Sequence, residues 1–432
     1  MTAAASDLGL PPMRLVRQTF DRAELTDFEA VLAAKVRARL AALGLAPGAR
    51  IAIGVGSRGI SPIAAVVRTL LAELEAAGAA PFIVPAMGSH GGGTAEGQAR
   101  VLAGYGIDSA HLGVPVVATM DTVVLGRSAL GAEVHLSAAA HAVDGVVVIG
   151  RVKPHTSFRG TIESGLCKML AIGLGNRRGA EAAHAHPLAA AIPAAAQVAL
   201  ARAKVIFGVA VVENAFDRPC ALEVVAPEDF PATDARLLAR ARAVLPRVPL
   251  DRLDVLIVDR MGKNISGTGM DPNVIGMWRR LPELPHEPDY RWVVALGLTP
   301  ESHGNATGVG MADLVSQKLV AAIDATQMTA NVLTSMALAM AKVPLTLPSD
   351  RACVAAALDL ARRASARAPR VVRIANTLQL ETFWASAAVL PDLPSTCMPV
   401  EAATPFAFQA GGAIVEDAAF HAREPAATAL GR

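Results

Sequence analysis

The chain has 432 residues, a length that suits two or three domains of roughly 150 residues each around substantial cores. Its content, 53% hydrophobic and 18% charged, excludes a largely disordered polymer, and 40 Lys and Arg against 38 Asp and Glu leave +2 with no basic block, so nucleic acid is not an expected partner. Four scattered cysteines (Cys167, Cys220, Cys353, Cys397) without CxxC spacing, no charged-then-apolar leader and no unbroken apolar run of spanning length read as a reduced, soluble, cytoplasmic protein with no membrane partner.

In chain order, the first regular signal is the apolar run Ile51-Ala-Ile-Gly-Val-Gly56, the pattern of a buried strand that ends in a glycine loop. A helix is expected over residues 63–77, with Ser61 as N-cap and Pro62 at its first position. Pro81 to Pro85 is a second strand, and it empties into Gly88-Ser-His-Gly-Gly-Gly-Thr94 before a helix over 95–102. Val114 to Val117 reads as a strand, and Val143 to Ile149 as a continuously apolar one of the kind found in parallel sheets covered on both faces. Open sheets of that type bind ligands at the carboxyl ends of their strands, where the loops near Arg58, His90 and His155 would fall.

A second unit is expected after the helix over 234–245. Its strands are 255–258 and 292–298, which lead into loops carrying Lys263 and His303. The sequence thus predicts an α/β protein of two domains with mainly parallel sheets and an active-site crevice between them. Residues 1–248 would form a cofactor-binding and catalytic domain, and 249–432 a C-terminal α/β domain closing the substrate crevice.

The densest polar chemistry lies in Arg151 to His186, with His155, His184, His186, Lys153, Glu163 and Lys168 set among glycines. Lys168 stands between apolar neighbours, where an ammonium is costly unless paired, neutralised or covalently modified, and a desolvated amine is nucleophilic. The residues alone leave open a snorkelling helix-edge lysine. His184 and His186, two apart on a helix, point to different sides, so at most one of them ligates a given metal. Neither HExxH nor a paired Cys–His zinc pattern occurs. The loop Gly88–Gly93 resembles a phosphate cradle without being a Walker A motif, and the alternative for it is a tight loop with an incidental histidine.

Together, Ser57-Arg58, Gly88-Ser-His90, Pro154-His155, Ser164-Gly-Leu-Cys-Lys168 and His184 resemble the motifs of the nickel-pincer lactate racemase family over roughly residues 50–190. Leu166 in place of a second glycine and Val55 in place of an acid mark a divergent subgroup. The resemblance implies a nickel-pincer nucleotide, a pyridinium-3-thioamide-5-thiocarboxylic acid mononucleotide carrying Ni, attached to Lys168 and ligated by His184. It also implies Arg58 and Ser57 on the cofactor phosphate, and His90 and His155 as acid–base groups. The implied activity is that of a nickel-dependent isomerase, a racemase or epimerase inverting C2 of a 2-hydroxy acid by hydride transfer. Lys263, Arg279 and His303 are candidates to hold the substrate carboxylate. Implied partners are the small-molecule 2-hydroxy acid and cofactor-biosynthesis proteins, with room for a homodimer. Two other readings stay open: a lyase or aldolase forming a Schiff base on Lys168, and a non-catalytic nucleotide-binding protein.

Overall fold

The structure, a computed structural model, describes residues 9–57, 60–401, 406–415 and 420. Among the described residues the chain forms two compact units, one of residues 21–245 and one that joins residues 9–20 to those from Pro246 to Phe420. The first strand, β1 (Met13–Gln18), therefore belongs to the second unit, which differs from the expected 1–248 division. Among the described residues no helix is long and apolar enough to cross a membrane.

The first unit is built on a five-stranded sheet of β2 (Arg50–Val55), β3 (Ala80–Pro85), β6 (Gly145–Arg151), β7 (Val205–Glu213) and β8 (Pro219–Val225), in the order β3-β2-β6-β7-β8. β2, β3, β6 and β7 run parallel, and β8 returns antiparallel on β7. A separate antiparallel pair, β4 (Thr122–Arg127) and β5 (Glu133–Ser137), forms a hairpin. The apolar runs of β2 and β6 are continuous because both faces of the sheet are covered. Ile51, Ile53, Val147 and Ile149 meet the helices Phe28–Leu43 and Ile63–Ala76 on one face. Ala52, Val146 and Val148 meet Leu166–Gly173, Leu188–Arg202 and Phe230–Val244 on the other.

Two local expectations are corrected. Residues 114–117 make no strand, only a single bridge from Val116 to Ile83, because Pro115 lacks the N–H that a ladder needs and lends its carbonyl to the Ile83 amide instead. The helix expected over residues 63–77 spans Ile63–Ala76, but its N-cap is Pro62 and Ser61 makes no side-chain cap. The Ser61 amide instead donates to Glu213 Oε1 at 2.5 Å.

The second unit carries an eight-stranded sheet. Its strands, besides β1, are β9 (Arg252–Val258), β10 (Asp289–Ala295), β11 (Leu314–Ser316), β12 (Leu345–Leu347), β13 (Val371–Ile374), β14 (Thr382–Ser386) and β15 (Cys397–Pro399). The order is β12-β11-β10-β9-β13-β14-β1-β15, parallel from β12 to β13 and antiparallel from β14 onward. β1 fills the slot between β14 and β15. Both units thus have mainly parallel sheets with helical cover. All four cysteines are free and buried, in keeping with reduced thiols.

Candidate active site

At the carboxyl ends of β2, β3 and β6 the chain leaves the first unit's sheet in three loops that pack on one turn, Leu166–Gly173. The Gly88 amide donates to the Gly173 carbonyl at 3.0 Å. A Cβ on Gly56 would lie 3.3 Å from Met169 Cε, and one on Gly150 would lie 3.0 Å from the Gly165 carbonyl carbon. Backbone from all three loops therefore approaches the turn as closely as atoms allow, which is why glycines stand at these places. After one helical turn at Leu166–Lys168, the backbone widens into a π-helical stretch, Met169–Gly173, a local form common beside functional sites.

Lys168 and His155 meet there, with Nζ 2.8 Å from His155 Nε2. The other ring nitrogen, Nδ1, accepts the Ser157 amide at 3.0 Å, and the ring packs on Phe158 with centroids 4.5 Å apart. The loop between them hangs on Glu163, whose side chain is fully buried. It accepts the His155 amide at 2.5 Å and the Gly160 amide at 3.2 Å, and pairs with Arg242 at 2.6 Å.

The turn that carries Lys168 is held by Asp234, which accepts the amides of Leu166 at 2.9 Å and Cys167 at 2.8 Å. Burial raises the Asp234 carboxyl to about 6 in spite of those two amides. The Cys167 thiol is pushed far up by burial and by the neighbouring Asp234 carboxylate, so it is an inert packing group beside Lys168 and not a nucleophile.

On the β2 and β3 loops, Ser57 Oγ hydrogen-bonds His90 Nδ1, and the Tyr105 hydroxyl fixes the Ser57 carbonyl at 2.6 Å. Ser57, expected on a phosphate, is thus engaged with a histidine. Arg58, its neighbour in the motif, lies outside the described residues. The glycine loop after β3 is tight for a steric reason. Gly88, Gly91, Gly92 and Gly93 all have positive φ, and a Cβ on Gly97 would sit 1.8 Å from the Gly91 oxygen. Buried Gln98 ties the loop down by donating to the Gly88 carbonyl at 2.9 Å. Thr94 caps the following helix by accepting the Gly97 amide at 3.1 Å.

His184 closes the helix Asn176–His184, which packs against the lysine turn. Its Nδ1 lies 2.6 Å from the Ala180 carbonyl, an acceptor, so Nδ1 carries the proton and Nε2 keeps a lone pair. Metal-ligating histidines commonly have that second contact. No group of three or more His, Cys, Asp or Glu that could hold a metal is found among the described residues.

Glu213, at the end of β7, links the loops further. It accepts the Ser61 amide and pairs with Arg151 at 2.6 Å, and burial raises its carboxyl against the pull of Arg151.

The second-unit candidates divide. The Lys263 amide donates to Ser302 Oγ at 2.9 Å, which places Lys263 beside the His303 loop at the carboxyl ends of β9 and β10. Lys263 Nζ reaches Asn331 at 2.8 Å. Arg279 is elsewhere, at the amino end of β10. Its side chain is 4% exposed and is bound by Asp313 at 2.9 Å and by the Tyr290 carbonyl at 2.5 Å. The structure does not bring it to Lys263 and His303, and its hydrogen bonds brace the entry to β10.

Sequence reasoning passed over Asp234, Glu213, Gln98 and Tyr105 and gave Glu163 no role. Their partners are mostly backbone groups, from Gly160 three residues before Glu163 to Ser61 far from Glu213, and no spacing signal encodes such contacts.

The first unit thus carries a histidine–lysine pair and a serine–histidine pair on loops at the carboxyl ends of its parallel strands. The family model for the lactate racemase N-terminal domain matches residues 22–195. Among solved structures, the chain is similar to the lactate racemase apoprotein from Thermoanaerobacterium thermosaccharolyticum, with 13% identity and a TM-score of 0.52 over 88% of this chain and 96% of that one. It also matches a structural-genomics protein from Thermotoga maritima at 14% identity and a TM-score of 0.46, over 64% of this chain and 72% of that one. No curated protein matches by sequence.

Proposed function

We propose that the chain is a racemase or epimerase that inverts C2 of a 2-hydroxy acid with a nickel-pincer nucleotide held on Lys168. The observation that carries this reading is the 2.8 Å contact between Lys168 Nζ and His155 Nε2, on a turn that the loops of three strands surround. Lys168 would hold the group covalently, His184 would offer Nε2 to its metal, and Arg58 would adjoin its phosphate. Bound there, the group supplies a reversible hydride acceptor for the substrate Cα.

The chain's own residues would manage the hydroxyl proton. His90 has a hydroxyl as its Nδ1 partner, and a hydroxyl either donates or accepts, so Nε2 of His90 can be with or without its proton. That makes His90 the group to take the hydroxyl proton and return it. His155, whose Nδ1 accepts an amide N–H, presents Nε2 as a donor. Ser57 orients the His90 ring in this scheme.

The test is to purify the chain from a host that makes the nickel-pincer nucleotide and to measure intact mass, nickel content and chiral conversion of a panel of 2-hydroxy acids. An adduct on Lys168, nickel near one per chain and inversion of at least one acid are expected. An unmodified, metal-free chain, from a host in which a known lactate racemase loads normally, overturns the reading.

A further inference from the structure

We propose that Ser57 and His90 form a nucleophile–base pair, which makes the unloaded chain a serine esterase towards small carboxylic esters. Ser57 Oγ hydrogen-bonds His90 Nδ1 on the loops that follow the adjacent parallel strands β2 and β3. When the proton of the neutral ring sits on Nε2, Nδ1 is bare and the hydroxyl is the donor. That bond engages the hydroxyl proton and leaves the Oγ lone pairs for a carbonyl carbon, which is how a neighbouring histidine activates a serine.

One element holds both members of the pair. The Tyr105 hydroxyl donates to the Ser57 carbonyl at 2.6 Å and fixes the backbone that carries the nucleophile. Gln98 Nε2 donates to the Gly88 carbonyl at 2.9 Å and lies 3.5 Å from that of His90, which fixes the loop that carries the base. Gln98 lies on the helix Ala95–Ala103 and Tyr105 on the turn after it, so the two groups share one support. Access is open as well. Ser57 is half-buried, His90 is exposed, and the three glycines after His90 present no side chain to an approaching ester. A serine after one parallel strand beside a His-Gly-Gly-Gly loop after another is also the arrangement by which lipases and esterases bring loop amides to a tetrahedral oxyanion.

The reaction takes water as its co-reactant. Ser57 Oγ attacks the ester carbonyl carbon as its proton passes to His90 Nδ1. The C–O bond to the alcohol then breaks, the proton leaves on that alcohol, and an acyl-serine remains. Water attacks the acyl carbon in turn, with its proton taken by His90 and returned to Ser57 Oγ as the acid departs. The inference goes beyond the proposed function and uses neither Lys168 nor a bound nucleotide.

The test uses the full, unloaded chain with 4-nitrophenyl acetate at neutral pH, following release of 4-nitrophenol and locating acetyl groups by peptide mass mapping after an acid quench. Steady turnover and an acetyl group on Ser57 are expected. Ser57→Ala should reduce turnover to the rate of the ester in buffer, and His90→Ala should lower it about 10²-fold or more, the usual share of a general base. Tyr105→Phe, which touches no reacting atom, should lower kcat about tenfold and leave KM unchanged, as a displaced nucleophile would. Turnover that survives Ser57→Ala in a natively folded variant overturns the proposal.

A measurement on the wild-type chain guards against variants that fail to fold. Treatment with phenylmethanesulfonyl fluoride should place a sulfonyl group on Ser57, with loss of fluoride, and stop release of 4-nitrophenol. A wild-type chain that gains neither the acetyl nor the sulfonyl group at Ser57 overturns the proposal. Esterase turnover through Ser57 in a chain that never loads nickel would keep this inference and remove the proposed function. A nickel-bearing adduct on a chain whose Ser57 is inert would do the reverse.

Discussion

Leu166 stands where the family pattern has a second glycine, and the structure gives the space a source. A Cβ on Gly208, in β7, would lie 2.9 Å from both Leu166 methyl carbons and 2.7 Å from Phe230 Cζ, so a glycine on the neighbouring strand makes room for the leucine. The glycine that remains, Gly165, is required by an acid: a Cβ there would lie 2.3 Å from Asp234 Oδ1. Gly165→Ala should therefore displace the carboxylate that holds the Lys168 turn. A loss of about 1–3 kcal/mol, the usual cost of overpacking, is expected in urea unfolding, with slower loading of Lys168. His90→Ala should lower kcat of the loaded enzyme by roughly 10²–10⁴-fold, the typical share of a general acid–base group, while the adduct mass is unchanged. The histidines and the lysine were legible in the sequence because reactive side chains among glycines are conspicuous. Glu163 was visible only as one more polar residue, since its role is to accept backbone amides, and Asp234 gave no signal from its place well down the chain.

At the scale of elements, the strands that position the site were legible because burial on both faces writes an unbroken apolar run, as in Gly145–Arg151. Half-exposed β4, with no clean alternation, was not legible, and neither was short β15. The lysine turn is another element that only the structure defines, and its stability is tied to pH. The folded-state carboxyl of Asp234 titrates at about 6 against a reference of 3.8, so the folded chain binds this proton more tightly than the unfolded one. Its contribution to stability is fully present below the unfolded value and is lost as pH rises through about 6, a change of about 3 kcal/mol. Urea unfolding at several values from pH 4 to 7 should show this downward slope in the wild type and a flatter one in Asp234→Asn. Equal slopes in the two proteins would assign the pH dependence to other groups.

At the scale of the whole molecule, two α/β units were legible from the recurrence of strand, glycine loop and helix, and their connectivity was not. β1 is a short strand of ordinary composition, and nothing in its six residues announces that it pairs with β14 and β15. Deleting residues 1–20 should therefore damage the second unit while sparing the first. Hydrogen exchange is expected to show lost protection in Thr382–Ser386 and retained protection in Arg50–Val55. Loss in Arg50–Val55 instead would place β1 energetically with the first unit.

That connectivity also sets a timetable for synthesis. Once β1 has left the ribosome, its partners, starting at Thr382, follow more than 360 residues later. At ~5–20 residues per second the delay is roughly 20–70 s. The whole lysine-bearing unit can fold in that interval with a bare strand tethered to its front. The nascent chain thus carries an unpaired β-strand through that interval, and chaperones that shield such edges should associate with it until β14 and β15 emerge.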